Sequence, residues 1–300
     1  MGASKIVPIS DAISSIVEDG SFVAVGGMHL HNNPMALVRE IIRQGRRIGK
    51  LLTSPCGAMN ADLLLGAGLV DELVTSYVGF EHLGLAPNFR RLAEQGSIRI
   101  LECDEPYITH GLYAGAGGLP FIPLPRGLEY SDIPKVNPES YAYAEDPFSG
   151  ERVLVGAPLS PEVALLHAQL SDAQGNAVLL GAHFLDRSMA LASKHVILQV
   201  ERIVSTEEIS SHPMGTTIPA FLVDAVVLAA GGCHPTSSHA FYTYDEEHLR
   251  QYLAMARDER GTDEYLTRYV HQTTEALYSQ STTDRISGLR YEGSLEERGR

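Results

Sequence analysis

The sequence predicts an α/β fold, an open and mostly parallel sheet with helices on both faces. Three observations carry that reading. Short apolar segments alternate with helical segments of about three turns, the order that βα units impose. The short segments are apolar nearly throughout, as strands covered on both faces must be. Glycines follow several of them, where a strand has to turn closely into a helix.

The elements follow in order. Residues 9–18 read as a capped helix with Ser10 at its N-cap. "SFVAV" is a strand running into Gly26-Gly27, and "PMALVREIIRQG" is a helix with Pro34 at its start and Gly45 at its end. "KLLTS", "ELVTSYVG" and "IRILE" read as strands, separated by helices in "MNADLLLGAG" and "NFRRLAEQG". Residues 126–151 are rich in Pro, Gly, Ser and Tyr, break the alternation and read as a flap. The strands resume with "RVLVGAP", "VALLHAQ", "AVLLG", "HVILQVERIV" and "FLVDAVVLA", and helices follow near 245–256 and 262–270. One domain is expected over 1–272 and a polar C-terminal tail over 273–300, with 280–300 loose.

The 300 residues are enough for a well-buried core. A net charge of −14 argues against nonspecific nucleic-acid binding and requires a local cationic or amide site for any anionic ligand. No apolar run reaches the length of a membrane span, and "MGASKIVPIS" carries neither a signal-peptide core nor a myristoylation pattern, since Ile6 stands where Ser or Thr is needed. Cys56, Cys103 and Cys233 form no disulfide framework, so reduced thiols and a cytoplasmic location are expected.

Candidate chemistry gathers where strands end. In "VGGMHLHNNP", Gly26 and Gly27 admit either a ligand against backbone amides or simply a tight turn. His29, His31, Asn32 and Asn33 behind them can bind a carboxylate or form an ordinary polar loop. In "TSPCGAMNAD", Cys56 and Gly57 precede a helix; a thiolate is favoured there, but no base accompanies it, and a small residue in a cramped turn is the plainer reading. Intact GxGxxG, GxxxxGK[ST] and GxSxG motifs are missing, and His234 and His239 near Cys233 do not make a usual zinc spacing, so no metal is expected. "ECDEPYITHGLYAGAGG" sets Glu102, Asp104 and Glu105 at a strand end, ahead of a run of small residues. Glu105 can serve as a general base or oxygen nucleophile; alternatively Asp104 caps a helix whose first turn welcomes acids.

Taken together, "VGGMHLHNNPMALVREI", "NADLLLGAGLVDELVTSYVGFE", "GLPFIP", "DPFSGERV", "ALLHAQLSDAQGNA", "ERIVSTEEI", "IPAFLVDAVVLAAGGCHPTSS" and "YDEEHLRQY" give the chain a resemblance to the α subunit of class I coenzyme A transferases. It is most similar to the glutaconate CoA-transferase branch, with some likeness to the α subunit of the steroid ring-cleaving CoA-ester hydrolases. The resemblance runs from about residue 8 to residue 256. It implies a separate β subunit, usually in an α2β2 assembly, coenzyme A as co-substrate, no permanently bound cofactor and no metal. It also implies that the nucleophilic glutamate sits on the β subunit, with Gly115, Gly117 and Gly118 in a wall facing that subunit's active-site loop. Two departures stand out. Glutaconate-type chains carry a cation before the proline where His29 to Asn33 stand, which implies acyl groups other than simple dicarboxylates. An acid at Glu105 is similar to the ring-cleaving hydrolases, whose Arg-Arg-Lys loop is missing here.

Three functions compete at this level: a CoA-transferase α subunit, a hydrolase on the same scaffold using Glu105 as base, and a non-catalytic small-molecule sensor. The sensor would need a DNA-binding module, and no basic helix-turn-helix candidate precedes residue 20.

Overall fold

A computed structural model describes residues 3–292. Helix α1 (Ile9–Ile16) starts one residue ahead of Ser10, with Pro8 at its N-cap. The amides of Asp11 and Ala12 donate to the Pro8 carbonyl, so Ser10 is already inside the helix and its hydroxyl bonds Asp11 instead. The expected Ser10 cap is therefore corrected. Four βα units follow: β1 (Ser21–Val25) and α2 (Met35–Gln44), β2 (Ile48–Thr53) and α3 (Met59–Gly66), β3 (Val70–Thr75) and α4 (Pro87–Gln95), β4 (Arg99–Glu102) and α5 (Glu105–Ala116). Gly45 ends α2 in the left-handed conformation, φ 63°, a position that favours glycine.

The expected flap over 126–151 contains the single turn α6 (Ile133–Val136) and β6 (Tyr141–Glu145), and it is flanked by β5 (Ile122–Pro123) and β7 (Arg152–Gly156). Here "RVLVGAP" departs from expectation. It joins a separate three-stranded antiparallel sheet, ordered β5-β7-β6, and not the main sheet. The reason is local. Asp146 accepts the Phe148 amide and Gly150 takes φ 73°, so "DPFSG" closes a hairpin that returns β7 onto β6.

The main sheet resumes with β8 (Val163–Ser171) and the two-residue β9 (Ala177–Val178), which pairs antiparallel with the end of β8. It continues through α7 (Asp186–Ala192), β10 (His195–Ile203), α8 (Thr206–Ser211) and β11 (Ala225–Leu228). Helices α9 (Glu246–Met255), α10 (Glu259–Leu266) and α11 (Glu275–Gly288) close the described chain, and a π turn over Thr267–His271 extends α10. The main sheet runs β11-β10-β8-β1-β2-β3-β4, parallel along that whole path. Strand order reverses between β1 and β8, which makes that junction a topological switch point.

Alternation along the strands fills two cores. Val23, Val25, Leu51 and Leu73 face one that includes residues of α1, α2, α3, α9 and α10. Ala24, Leu52, Val74 and Leu166 face another that includes α5, α7 and the small sheet. Residues 280–288, expected to be loose, belong to α11. Tyr278, Thr282 and Ile286 are buried, and Glu275 pairs with the buried Arg39. Residues 293–300 lie outside the described residues. Among the described residues no helix is long and apolar enough to cross a membrane.

Candidate active site

Each of the four consecutive strands β1 to β4 delivers a chemically capable side chain at its carboxyl edge. The loop after β1 brings His29, that after β2 brings Cys56, that after β3 brings Tyr77 and Glu81, and β4 runs into Asp104 and Glu105. The His29 amide donates to the Cys56 carbonyl at 2.8 Å, which joins the first two loops. His29 Nδ1 lies 3.2 Å from Glu81 Oε1, yet it makes no hydrogen bond: the contact has the length of an ion pair but not the alignment. The His29 and Tyr77 rings meet edge to face at 6.2 Å. Burial, then the nearby Glu105 and Glu81 charges, push the Cys56 thiol up, so it stays protonated in the neutral range. Glu105 is exposed, in the first turn of α5, and Asp104 caps that helix by accepting the Tyr107 amide at 3.0 Å.

The backbone here is strained. His29 (φ 50°), Asn32 (φ 56°), Glu81 (φ 52°) and Ala240 (φ 64°) are non-glycine residues in the left-handed region. Each such residue costs on the order of 1–3 kcal/mol and persists where surrounding structure enforces it. Asn32 supplies much of that enforcement. It donates to the Leu180 and Ala182 carbonyls at 2.9 and 2.8 Å, and accepts from Gln169 Nε2 at 2.9 Å and the His239 amide at 3.2 Å. All its side-chain valences are filled, so Asn32 is a tie between loops. His31 is also engaged, Nδ1 to Ser237 Oγ at 2.7 Å, and burial lowers its pKa.

Gly26 and Gly27 occupy the switch point, but their amides are already used. Gly26 N donates to the Leu165 carbonyl at 2.9 Å and Gly27 N to Asp186 Oδ1 at 3.0 Å. Asn60 donates to the Gly26 carbonyl at 3.0 Å and Ser54 to that of Gly27 at 2.5 Å. These residues need to be glycine for packing. A Cβ on Gly26 would stand 2.3 Å from Asp186 Oδ1, and one on Gly27, at φ 89°, would stand 2.6 Å from Asn33 Oδ1. Asp186 is fully buried, its Oδ2 has no partner, and burial pushes its carboxyl up to about 6. Neither Asp186 nor Glu81 is singled out as a candidate by the sequence, although Glu81 ends one of the stretches that carry the resemblance; only the fold brings them to the glycine turn and to His29.

The small-residue run lies elsewhere. Gly115 is ten residues along α5 from Glu105, roughly 15 Å at 1.5 Å per residue. A Cβ on Gly115 would meet the Leu159 carbonyl at 2.1 Å, so this glycine lets α5 approach its own chain. Gly117 caps α5 and Gly118 (φ 61°) completes the turn. Gly57 is buried against Thr53, and its amide donates to the Tyr77 carbonyl at 3.0 Å. The structure thus joins His29, Cys56 and Glu81, with Glu105 at their rim, and separates them from Gly115, Gly117 and Gly118.

In an open parallel α/β sheet, the carboxyl-edge loops that gather these polar side chains are where small molecules bind. Residues 7–229 match the Coenzyme A transferase family, and the chain belongs to it. It is 36% identical to an uncharacterized protein of Archaeoglobus fulgidus over 99% of this chain, which spans 66% of that longer protein. It is 32% identical to a subunit of the 3-oxoadipate CoA-transferase of Pseudomonas knackmussii, over 91% of this chain and 95% of the relative. It is 31% identical to the cholesterol ring-cleaving hydrolase IpdA subunit of Mycobacterium tuberculosis, over 91% and 95%. The crystal structure of glutaconate CoA-transferase from Acidaminococcus fermentans superposes with a TM-score of 0.88, covering 96% of each chain at 29% identity.

Proposed function

We propose that this chain is the α-type subunit of a heteromeric CoA-transferase, working with a separate β subunit in an α2β2 assembly in the cytoplasm. Coenzyme A enters as co-substrate, and no resident cofactor is required. The observation that carries the reading is the incompleteness of the carboxyl-edge wall. Cys56 is held as a thiol, His29 faces Glu81, and the Gly26 and Gly27 amides are bound internally, so this chain brings one face of a site and leaves the nucleophile to its partner. In that scheme a glutamate oxygen from the β subunit's loop attacks the acyl-CoA carbonyl. CoA thiolate leaves, and an acyl-glutamyl anhydride forms. The thiolate then attacks the glutamyl carbonyl, which releases the first acid and leaves an enzyme-CoA thioester. A second acid reverses the sequence. Glu105 is a rim carboxylate in this reading, and Gly115, Gly117 and Gly118 shape the chain's own packing.

The test is co-purification with the partner subunit, followed by assays of CoA exchange and of CoA release over an acyl-CoA panel. Exchange into a free acid, with hydroxylamine-sensitive CoA on the β chain, is expected, and the α chain alone should be inactive. Turnover by the α chain alone, or release of CoA with no exchange, would replace this reading with the hydrolase.

A further inference from the structure

The carboxyl-edge loops have an unusual charge inventory. Residues 26–34, 54–58, 76–86, 172–185 and 229–245 contain no lysine or arginine, and their basic side chains are His29, His31, His82, His183, His234 and His239. The same edge carries Glu81 and Glu105, both exposed. The closest basic residues in sequence lie outside these loops. Arg187 is exposed at the start of α7. A separate cleft of about 640 Å³, lined by Leu83, Leu85 and residues of α4 and α9, holds Arg90, Arg91, Arg250 and Arg257. Three of those have partners: Arg90 bonds Glu94, Arg250 bonds Glu246, and Arg91 bonds Asn88 and the Ala256 carbonyl. A ligand carboxylate placed among the β1 to β4 loops would therefore meet the carboxylates of Glu81 and Glu105, and those loops themselves carry no lysine or arginine.

Polar capacity at the edge is nonetheless unspent. His29 Nδ1 is buried without a hydrogen-bond partner, in a loop that holds His29 and Asn32 in left-handed backbone. A buried polar group left unpaired forfeits its hydration with nothing in return, and strain of this kind gathers where a ligand is gripped. A hydrogen bond from the His29 ring suits an acceptor oxygen on the acyl group, while the Glu81 carboxylate beside it disfavours a second carboxylate.

We propose that the acyl group read by this wall is uncharged and bears a hydrogen-bond acceptor, such as a 3-oxo or hydroxy oxygen, with His29 beside Glu81 as the specificity-determining pair. The inference rests on the transferase reading and narrows it against the dicarboxylate substrates in the names of the relatives.

The experiment uses the purified complex, β subunit included, with three five-carbon esters: 3-oxopentanoyl-CoA, pentanoyl-CoA and glutaryl-CoA, and acetate as acceptor. The expected order of kcat/KM is that order, with glutaryl-CoA lower than 3-oxopentanoyl-CoA by at least ~10²-fold, since like charges brought together at an interface repel strongly. Glu81→Gln should shrink the glutaryl penalty about tenfold, and His29→Phe should shrink the 3-oxo preference over pentanoyl by a similar factor. Arg187→Ala should leave the ratios unchanged. Glutaryl-CoA used as well as the others, or a glutaryl activity that Arg187→Ala abolishes, overturns the proposal. If none of the esters exchanges CoA, the transferase reading falls instead. The acyl preference is then decided by calorimetric binding of the same three esters, where equal affinities overturn it.

Discussion

Two clusters of histidine and carboxylate in this chain use the same residue types to opposite ends. Behind the sheet edge, His234 Nδ1 bonds the Tyr278 hydroxyl at 2.8 Å and Nε2 bonds Asp245 at 3.1 Å. Asp245 also accepts from the His248 amide at 2.9 Å and from Arg285 at 2.6 and 2.9 Å, and His248 Nε2 meets the Tyr265 hydroxyl at 2.8 Å. Burial alone would raise the Asp245 carboxyl, but the bonds from His234, Arg285 and the His248 amide hold it well below the usual range. Burial pushes His248 down to about 3. His234, Asp245 and His248 are close enough to hold a metal ion, yet their ligand atoms are already spent on hydrogen bonds that dock α10 and α11. At the sheet edge, by contrast, His29 Nδ1 and Asn33 Oδ1 have no such bond, and the backbone is strained. In the first cluster the filled valences hold helices in place, whereas His29 at the edge keeps a ring nitrogen unpaired; residue type alone does not distinguish the two.

The largest expected effect falls on the satisfied side. Arg39 is 2% exposed; it bonds Glu275 and the His234 carbonyl and stacks on Tyr278 at 3.8 Å. Glu275→Ala leaves that guanidinium buried without its counter-charge, which should cost about 3–5 kcal/mol. Urea denaturation of the complex is the measurement, with activity per folded molecule preserved. A loss under about 1 kcal/mol would mean that α11 is held by packing alone.

An intermediate effect concerns Asp186, which belongs to both worlds: one oxygen anchors Gly27 N and the other has no partner. Its folded pKa of about 6 stands above the ordinary aspartate value of 3.8, so between those values the folded state binds the extra proton. Stability contributed by this group is therefore fully present below about pH 4 and lost as pH rises through about 6. Asp186→Asn keeps an acceptor for Gly27 N and removes the buried charge. It should stabilise by roughly 1–3 kcal/mol at pH 8 and by nothing at pH 4. Denaturation curves at the two pH values check this, and a gain of equal size at both would assign the effect to packing.

The sequence carried the architecture further than the site. Strands β1 to β4 and the helices between them follow from apolar runs and from Pro34 and Gly45, because those signals are local. Pairing is less legible: "RVLVGAP" has the composition of a main-sheet strand, and only the hairpin at Asp146 to Gly150 sends it to the small sheet. The α11 helix escapes notice because its inward residues are Tyr278, Thr282 and Ile286, a face too polar to stand out. In the site, His29, Cys56 and Glu105 are legible as reactive types at strand ends. Glu81 and Asp186 are not, since each matters through a partner from another βα unit, 52 positions away for His29–Glu81 and 159 for Gly27–Asp186. Chemical crowding also misleads. The acidic run at Glu102 to Glu105 resolves into a capping Asp104 and an exposed Glu105 with distinct surroundings.

The smallest expected effect is at Glu105 itself, and it tests the division of labour between the subunits. Glu105 is exposed at the start of α5, where the cap is already supplied by Asp104, so Glu105→Gln should change stability by less than about 0.5 kcal/mol through the helix dipole alone. Its role in turnover depends on where the chemistry resides. A general base typically contributes ~10²–10⁴-fold, and glutamine cannot take up a proton while keeping nearly the same shape. With the nucleophile on the β subunit, Glu105 contributes only a rim charge near Cys56, and Glu105→Gln should lower kcat by less than about tenfold. The same change should bring the Cys56 thiol down, because Glu105 is one of the two charges that raise it. Iodoacetamide labelling of Cys56 against pH reads that shift directly in the folded complex. A drop in kcat beyond ~10²-fold, with normal ester binding, would place the base on this chain and make the sheet edge a catalytic centre in its own right.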